Sequence, residues 1–173
     1  MTKTGLPALA AMALACAGLS SITPAAAQTP VERGRYLANL AGCSHCHTPG
    51  HFLGKVDMTR ALGGSDVGFG IPNLGVFVGP NLTPDKETGL GRYTDAEVTT
   101  LLRTGTRPDG RILAPAMPWR EYSTLTDADM KALIAYLRSL KPISNAVPGP
   151  VGPQDKPTVF VMKVVPPEGA PAR

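Results

Sequence analysis

The chain has 173 residues, 17 of them Lys or Arg and 13 Asp or Glu, for a formal net charge of +4. Those charges are scattered, so there is no basic stripe for a nucleic acid, and no segment reaches the roughly eighteen apolar residues of a membrane span. Aromatic residues make up only 5% against 19 Gly and 18 Pro, so a domain of this length has a core that is either small or supplemented by something other than protein.

Residues 1–27 hold one basic residue, Lys3, no acidic residue, an apolar run from Leu6 to Leu19, and a small-residue end at Ala25-Ala26-Ala27. This is the layout of a secretory signal peptide cut after Ala27. A retained N-terminal anchor and lipidation at Cys16 are the alternatives, the second disfavoured by the position of Leu14. Cleavage leaves residues 28–173 and a net charge of +3. It also removes Cys16, so Cys43 and Cys46 remain as the cysteines of the exported chain. Two cysteines so close together cannot form a structural disulfide framework.

Residues 30–42 read as a short helix, with Pro30 suited to its first turn and Tyr36, Leu37 and Leu40 on one face. The stretch CSHCHTPGH (43–51) follows directly. Residues 48–92 are rich in Gly, Pro and Asn and show neither helical nor strand periodicity. Thr94 and Glu97 form a capping box for a helix that runs to about Thr104 and stops at Gly105, with Val98, Leu101 and Leu102 as its apolar face. Residues 106–123, with Pro108, Pro115 and Pro118, read as irregular. Thr126 then caps a helix, DADMKALIAYLRSL, whose buried stripe is Met130, Leu133, Ile134 and Leu137. The segment 143–173 carries seven prolines and reads as an extended tail. Within it, TVFVMKVV (158–165) is either a surface edge strand or a docking strip for a partner.

Three chemistries fit the cysteine–histidine cluster. Cys43, Cys46, His47 and His51 have the donor types of a tetrahedral zinc site, but all four are local and would staple nothing together. A thioredoxin-like disulfide needs the first cysteine at a helix N-terminus in a βαβ setting, and this cluster follows a helix and precedes a glycine-rich loop. C-x-x-C-H also attaches haem, with two thioethers and an axial histidine. That reading accounts for export, for the use of both cysteines and for the scarcity of protein core. A sixth ligand would then be a thioether, from Met58, Met117, Met130 or Met162. Met130 lies on a buried helix face, Met162 in the tail, and Met58 only eleven residues after His47. Met117, held between Pro115 and Pro118, suits a ligand that must not swing away. His51 is too near His47 to reach the opposite side, and His45 is expected to point to solvent.

The motifs GRYLANLAGCSHCHT, GPNLTPDKETGLGRYTDAEV, LRTGTRPDGRILAPAMP and LTDADMKALIAYLRSLKP resemble the class I c-type cytochromes over residues 30–142. The longer pattern is similar to cytochrome subunits of periplasmic alcohol and gluconate dehydrogenases, which commonly carry three haems where this chain has one CxxCH. The resemblance implies an all-α cytochrome c fold: short helices and long loops around one haem c, in a domain over residues 28–142 followed by the tail. It implies thioethers at Cys43 and Cys46, His47 as proximal iron ligand and Met117 as distal ligand. It makes Gly79-Pro80-Asn81-Leu82 the turn whose Pro80 carbonyl accepts the His47 Nδ1–H, and sets Trp119 beside a propionate. The terminal helices are expected to cross near Gly34, Tyr36 and Tyr136.

Function follows as an expectation. With both axial positions filled, the iron passes single electrons rather than turning over a substrate. The chain is then a periplasmic electron carrier, soluble or a small subunit of a dehydrogenase complex, and not itself an enzyme. Its partners are redox proteins (a dehydrogenase, an oxidase or a quinol-linked complex), with no nucleic acid and no strong membrane anchor once the leader is cut. The competing expectation is a haem protein with a labile distal ligand, acting as a catalytic or gas-sensing site.

Overall fold

The computed structural model describes residues 27–165 together with Met1, Pro167 and Glu168. Apart from Met1 and Ala27, the expected signal peptide falls outside the described residues. Helix α1 (Pro30–Leu40) opens on a capping box: the Glu32 N–H donates to Thr29 Oγ1 at 3.2 Å, and the Thr29 N–H donates to the Glu32 carboxylate at 2.8 Å. A short helix α2 (Cys43–His47) follows it. Helices α3 (Asp95–Thr104), α4 (Trp119–Tyr122) and α5 (Asp127–Ser139) complete the α-helical part, and single 3-10 turns lie at Met58–Arg60 and Leu90–Arg92. The expected caps are present: Thr94 and Glu97 bond reciprocally, Gly105 stops α3 in the left-handed region, and Thr126 accepts the Asp129 N–H. Helix α4 lies in a stretch that the prolines made look irregular.

Helix α1 packs on α5, and the contact is made through backbone. A Cβ placed on Gly34 would lie 1.9 Å from the Ala132 carbonyl oxygen and 2.7 Å from Tyr136 Cβ. The helices can approach this closely only because residue 34 has no side chain. Gly34 therefore sets the buried stripe of α1 at Gly34, Leu37 and Ala38, which have the i, i+3, i+4 spacing of one helix face. The expected stripe is corrected accordingly: Leu37 is buried, but Tyr36 and Leu40 are 50% and 72% exposed. The Arg33 guanidinium covers the Tyr36 ring and bonds Asp129 of α5 at 2.8 Å.

The core joins Ala38 of α1, Leu62, the inner face of α3 (Val98, Leu101, Leu102) and that of α5 (Met130, Leu133, Ile134, Leu137). Met130 is only 2% exposed, as its place on the α5 stripe requires. Arg138 ties α5 to the start of α3 by donating to Asp95 at 2.9 Å and to the Leu90 carbonyl at 2.7 Å.

The all-α expectation is too strict. Strands β1 (Val67–Ile71) and β2 (Gly75–Val78) form an antiparallel hairpin, and β3 (Phe160–Lys163) from the tail adds parallel to β1, in the order β2-β1-β3. Phe69 is the centre of the register, opposite Phe77 on one side and Met162 on the other. Gly68 and Gly70 hide the strand in the sequence because they remove the side chains that would mark its second face. Neighbours use the vacated space: a Cβ on Gly68 would lie 2.5 Å from the Val76 side chain, and one on Gly70 would lie 3.0 Å from Lys163. Pro72 followed by a left-handed Asn73 makes the hairpin turn, with the Leu74 N–H on the Ile71 carbonyl. Val151 bonds Val76 on the outer side of β2, so the tail holds both edges of the hairpin. Among the described residues, no helix is long and apolar enough to cross a membrane.

Candidate functional site

After α1 the chain turns at Ala41 and Gly42 into α2, which ends by placing His47 in the interior, 4% exposed. Its Nδ1 lies 2.7 Å from the Pro80 carbonyl oxygen. A carbonyl can only accept, so Nδ1 carries the proton and Nε2 is left as the lone-pair nitrogen. Burial depresses the imidazole pKa below its ordinary value, while the bond to Pro80 pulls the other way. The ring is thereby held neutral, in one tautomer and one orientation, which is the form that ligates a metal.

The packing behind His47 went unmarked in the sequence. Gly79 lies flush against α2: a Cβ there would fall 1.7 Å from the Cys46 carbonyl oxygen and 3.4 Å from His47 Nδ1. The Gly64 N–H donates to the His47 carbonyl, and the fully buried Thr48 accepts the Leu62 N–H. Asn81, 2% exposed, donates to Thr88 Oγ1 and to the Ile143 carbonyl, and accepts from the Thr83 N–H and hydroxyl. The GPNL motif announces a turn; that its asparagine is the hub of a buried polar network is visible only in three dimensions.

Cys43 and Cys46 are both free and partly buried. Burial pushes the Cys43 thiol up to about 11 and raises that of Cys46 as well. A thiol–disulfide catalyst needs the reverse, a thiolate stabilised near neutral pH. The zinc set is not brought together either. Among the described residues, no three His, Cys, Asp or Glu side chains converge on a metal-sized site. His47 points inward, whereas His51 stacks on the exposed His45 with ring centroids 4.3 Å apart.

Met117 sits on the loop between α3 and α4. That loop is closed by a Thr106–Ile112 bridge and by the Leu113 N–H on the Gly105 carbonyl. The Met117 N–H donates to the Ala114 carbonyl, and its own carbonyl accepts from the Trp119 N–H at 2.8 Å, so the backbone is fixed on both sides. Its half-buried side chain packs against the same core cluster as Cys43. Of the other described methionines, Met58 and Met162 are 69% and 45% exposed and Met130 is locked in the core. Trp119 packs its indole against Gly105, under the Arg120 guanidinium at 4.7 Å.

The cytochrome c family model matches residues 31–141. This chain belongs to the cytochrome c family. The cytochrome is 40% identical over 73% of its length to the fructose dehydrogenase cytochrome subunit of Gluconobacter japonicus, of which it covers 25%. It is 38% identical over 71% of its length to the alcohol dehydrogenase (quinone) cytochrome c subunit of Gluconacetobacter polyoxogenes, again covering 25%. With the gluconate 2-dehydrogenase cytochrome c subunit of Pantoea cypripedii the identity is 35%, over 67% of this chain and 24% of the relative. The cytochrome thus spans about a quarter of the length of these relatives. Members of the family carry haem c covalently, and Cys43, Cys46 and His47 supply its CxxCH motif. The residues present fit that group. They offer two unpaired thiols, an imidazole with its Nε2 lone pair free, a half-buried thioether, and a buried guanidinium nitrogen on Arg107 with no acceptor from the chain.

Proposed function

We propose that this cytochrome carries one electron at a time in the periplasm, either free or as a small subunit of a dehydrogenase complex. When bound, haem c supplies an iron that cycles between the ferric and ferrous states without making or breaking a bond. Cys43 and Cys46 would anchor it through thioethers, and His47 Nε2 and the Met117 thioether would ligate its iron. The observation that carries this reading is the His47–Pro80 bond, which fixes the tautomer and leaves Nε2 as the nitrogen with a lone pair for the iron. Pro80 also strengthens the imidazole as a donor by accepting its Nδ1–H. Met117, clamped by backbone bonds on either side, keeps a thioether in place through both redox states, and His/Met ligation favours the ferrous one. Trp119 lies at the end of the same loop, where its indole N–H serves a propionate.

Export is supported by the leader pattern in residues 1–27, and the choice of partner by the printed roles of the relatives as dehydrogenase cytochrome subunits. We place the cytochrome domain at residues 28–142 and a Pro-rich tail after it, the first tail residues bracing the domain.

The test is the visible spectrum of the exported, matured protein, oxidised, reduced, and reduced under carbon monoxide. A low-spin c-type spectrum that ignores the gas, and responds to it in Met117→Ala, is the expected result. A spectrum that shifts with carbon monoxide in the unmutated protein would overturn the closed-carrier reading in favour of an accessible iron.

A further inference from the structure

The three-stranded sheet has one open edge. Among the described residues, Val151 bonds Val76 on the outer side of β2, while no strand pairs with the outer side of β3. An unpaired strand edge templates association, and proteins ordinarily blunt it with charge, proline or a bulge. The run TVFVMKVV (158–165) has no proline inside it and a single charge, Lys163. Phe160, Met162, Val164 and Val165 are all exposed. The face that carries Met162 is also where aromatic rings collect. Phe69 lies opposite both Met162 and Phe77, and Phe52 meets Phe69 edge-on at 5.5 Å. Phe160, two positions before Met162, shares its face. These are the four phenylalanines of the chain, and none joins the core cluster.

The sequence around β3 is complementary to itself. Two antiparallel strands related by a twofold axis pair each residue with the one equally far beyond the centre, and opposite residues share a face of the sheet. Centred on Met162, Met162 meets Met162 of the second copy, Phe160 meets Val164, Val161 meets Lys163, and Val159 meets Val165. Pro157 and Pro167 stand equally far from the centre, so the pairing stops alike at both ends. One position further out, Lys156 comes to face Glu168. Both are exposed, and neither takes part in an ion pair among the described residues. The neighbouring Asp155 carboxylate folds back over Gly152. Other centres fail: Val161 sets Pro157 against Val165, and Lys163 sets that cation against its own copy.

We infer that the outer edge of β3 pairs antiparallel with the same edge of a second copy of this chain, about a twofold axis through Met162. Two three-stranded sheets become one of six. Backbone N–H and carbonyl groups on the open edge supply the attraction. Side chains set the register, with apolar pairs along the strand and a Lys156–Glu168 pair at either end. An unrelated partner would need an apolar strip, but not one whose prolines and end charges balance about a single residue. One strand pair is smaller than a standard interface, so the association is weak, on the order of tens of micromolar, and dilute protein is monomeric. None of the residues assigned to the haem lies in this contact, so the inference and the carrier reading stand or fall separately.

The experiment is analytical ultracentrifugation of the exported, haem-loaded full chain from about 5 to about 500 µM. The unmutated chain should pass from monomer to dimer within that range. Met162→Lys and Met162→Glu each set like charges face to face on the axis, and each should weaken the dimer about tenfold or more. Mixed in equal amounts, the two variants should pair with each other, because their charges are then opposed. Lys156→Glu should also weaken association, and adding Glu168→Lys to it should restore the dimer. Leu40→Lys, on the exposed side of α1, is the control and should change nothing. A chain that stays monomeric to the top of the range overturns the inference. So does a dimer indifferent to both Met162 variants, whose contact would lie elsewhere. Variants that fail alone and also fail when mixed overturn it too, since the strip would not be pairing with itself about residue 162. Should the unmutated chain remain monomeric and bind a dehydrogenase that reduces it, with loss of binding in Met162→Lys, the occupant of the edge is that enzyme and the inference is lost.

Discussion

Gly79 and Cys46 meet backbone to backbone, so closely that a Cβ on residue 79 would fall 1.7 Å from the Cys46 carbonyl oxygen. The contact seats the Pro80 carbonyl on the His47 ring, because the turn cannot reach Nδ1 unless residue 79 passes directly against the end of α2. Both strands of backbone are fixed elsewhere, by the Ser65 N–H on the Gly79 carbonyl and the Gly64 N–H on the His47 carbonyl. Neither side can yield cheaply.

Gly79→Ala should therefore destabilise the haem-loaded protein by about 3 kcal/mol, the upper end of ordinary overpacking. The loss should appear in denaturant melts, together with a reduced yield of holoprotein. Gly149→Ala is the control, since a Cβ there meets nothing within 4 Å. Equal stability of the two variants would refute the packing argument.

What the sequence disclosed and what it hid divide along physical lines. Helices α3 and α5 were legible because their caps are local: a Thr, its partner three residues on, and an apolar stripe of helical period. The CxxCH cluster and the GPNL turn were legible as short motifs. The Thr29–Glu32 box is equally local but went unread, Pro30 alone having marked the start of α1. The buried face of α1 was hidden from periodicity because Gly34, the residue that decides it, has no hydrophobicity to display; the family resemblance alone set Gly34 at the helix crossing. The sheet was hidden for two reasons: its central strand alternates with glycine, and β3 joins it in parallel from the far end of the chain. Arg107 was hidden because an unsatisfied nitrogen is a property of packing, and no residue pattern records it.

The Arg33–Asp129 bond across the α1–α5 crossing carries a pH signature. The Arg33 guanidinium holds the Asp129 carboxyl below its usual value, with burial opposing. A carboxylate favoured in the folded state contributes its full stability above its unfolded pKa of about 3.9, and that contribution disappears as pH falls through the lower folded value. Asp129→Asn should thus be less stable at neutral pH and should lose less on acidification below about pH 4. Melting temperature against pH would show two curves converging in acid. Asp57 and Asp85 are also held below their usual values, so the acid limb persists in the variant with a shallower slope. Parallel curves would mean that the bond stabilises nothing.

The tail makes its strongest contribution where it leaves α5. The Ile143 carbonyl accepts from Asn81 Nδ2 at 2.6 Å, and its N–H donates to Thr83 Oγ1 at 3.1 Å. Asn145 donates from its backbone to Thr88 Oγ1 and from its side chain to the Gly63 carbonyl. These bonds land on the buried loops that back His47, where an abandoned polar group costs about 1–3 kcal/mol. Strand β3, by contrast, exposes Phe160 and Met162 to 66% and 45% and buries little. Truncation after Gly149 should therefore cost about 1 kcal/mol, and truncation after Pro142 about 3 kcal/mol more, the difference falling on residues 143–149. Chemical denaturation of the three haem-loaded lengths would measure both steps. Should the two truncated forms prove equally stable, the domain is complete at residue 142 and the brace contributes no net stability. A large first step and a small second would instead make the sheet, not the brace, the part of the tail that the cytochrome needs.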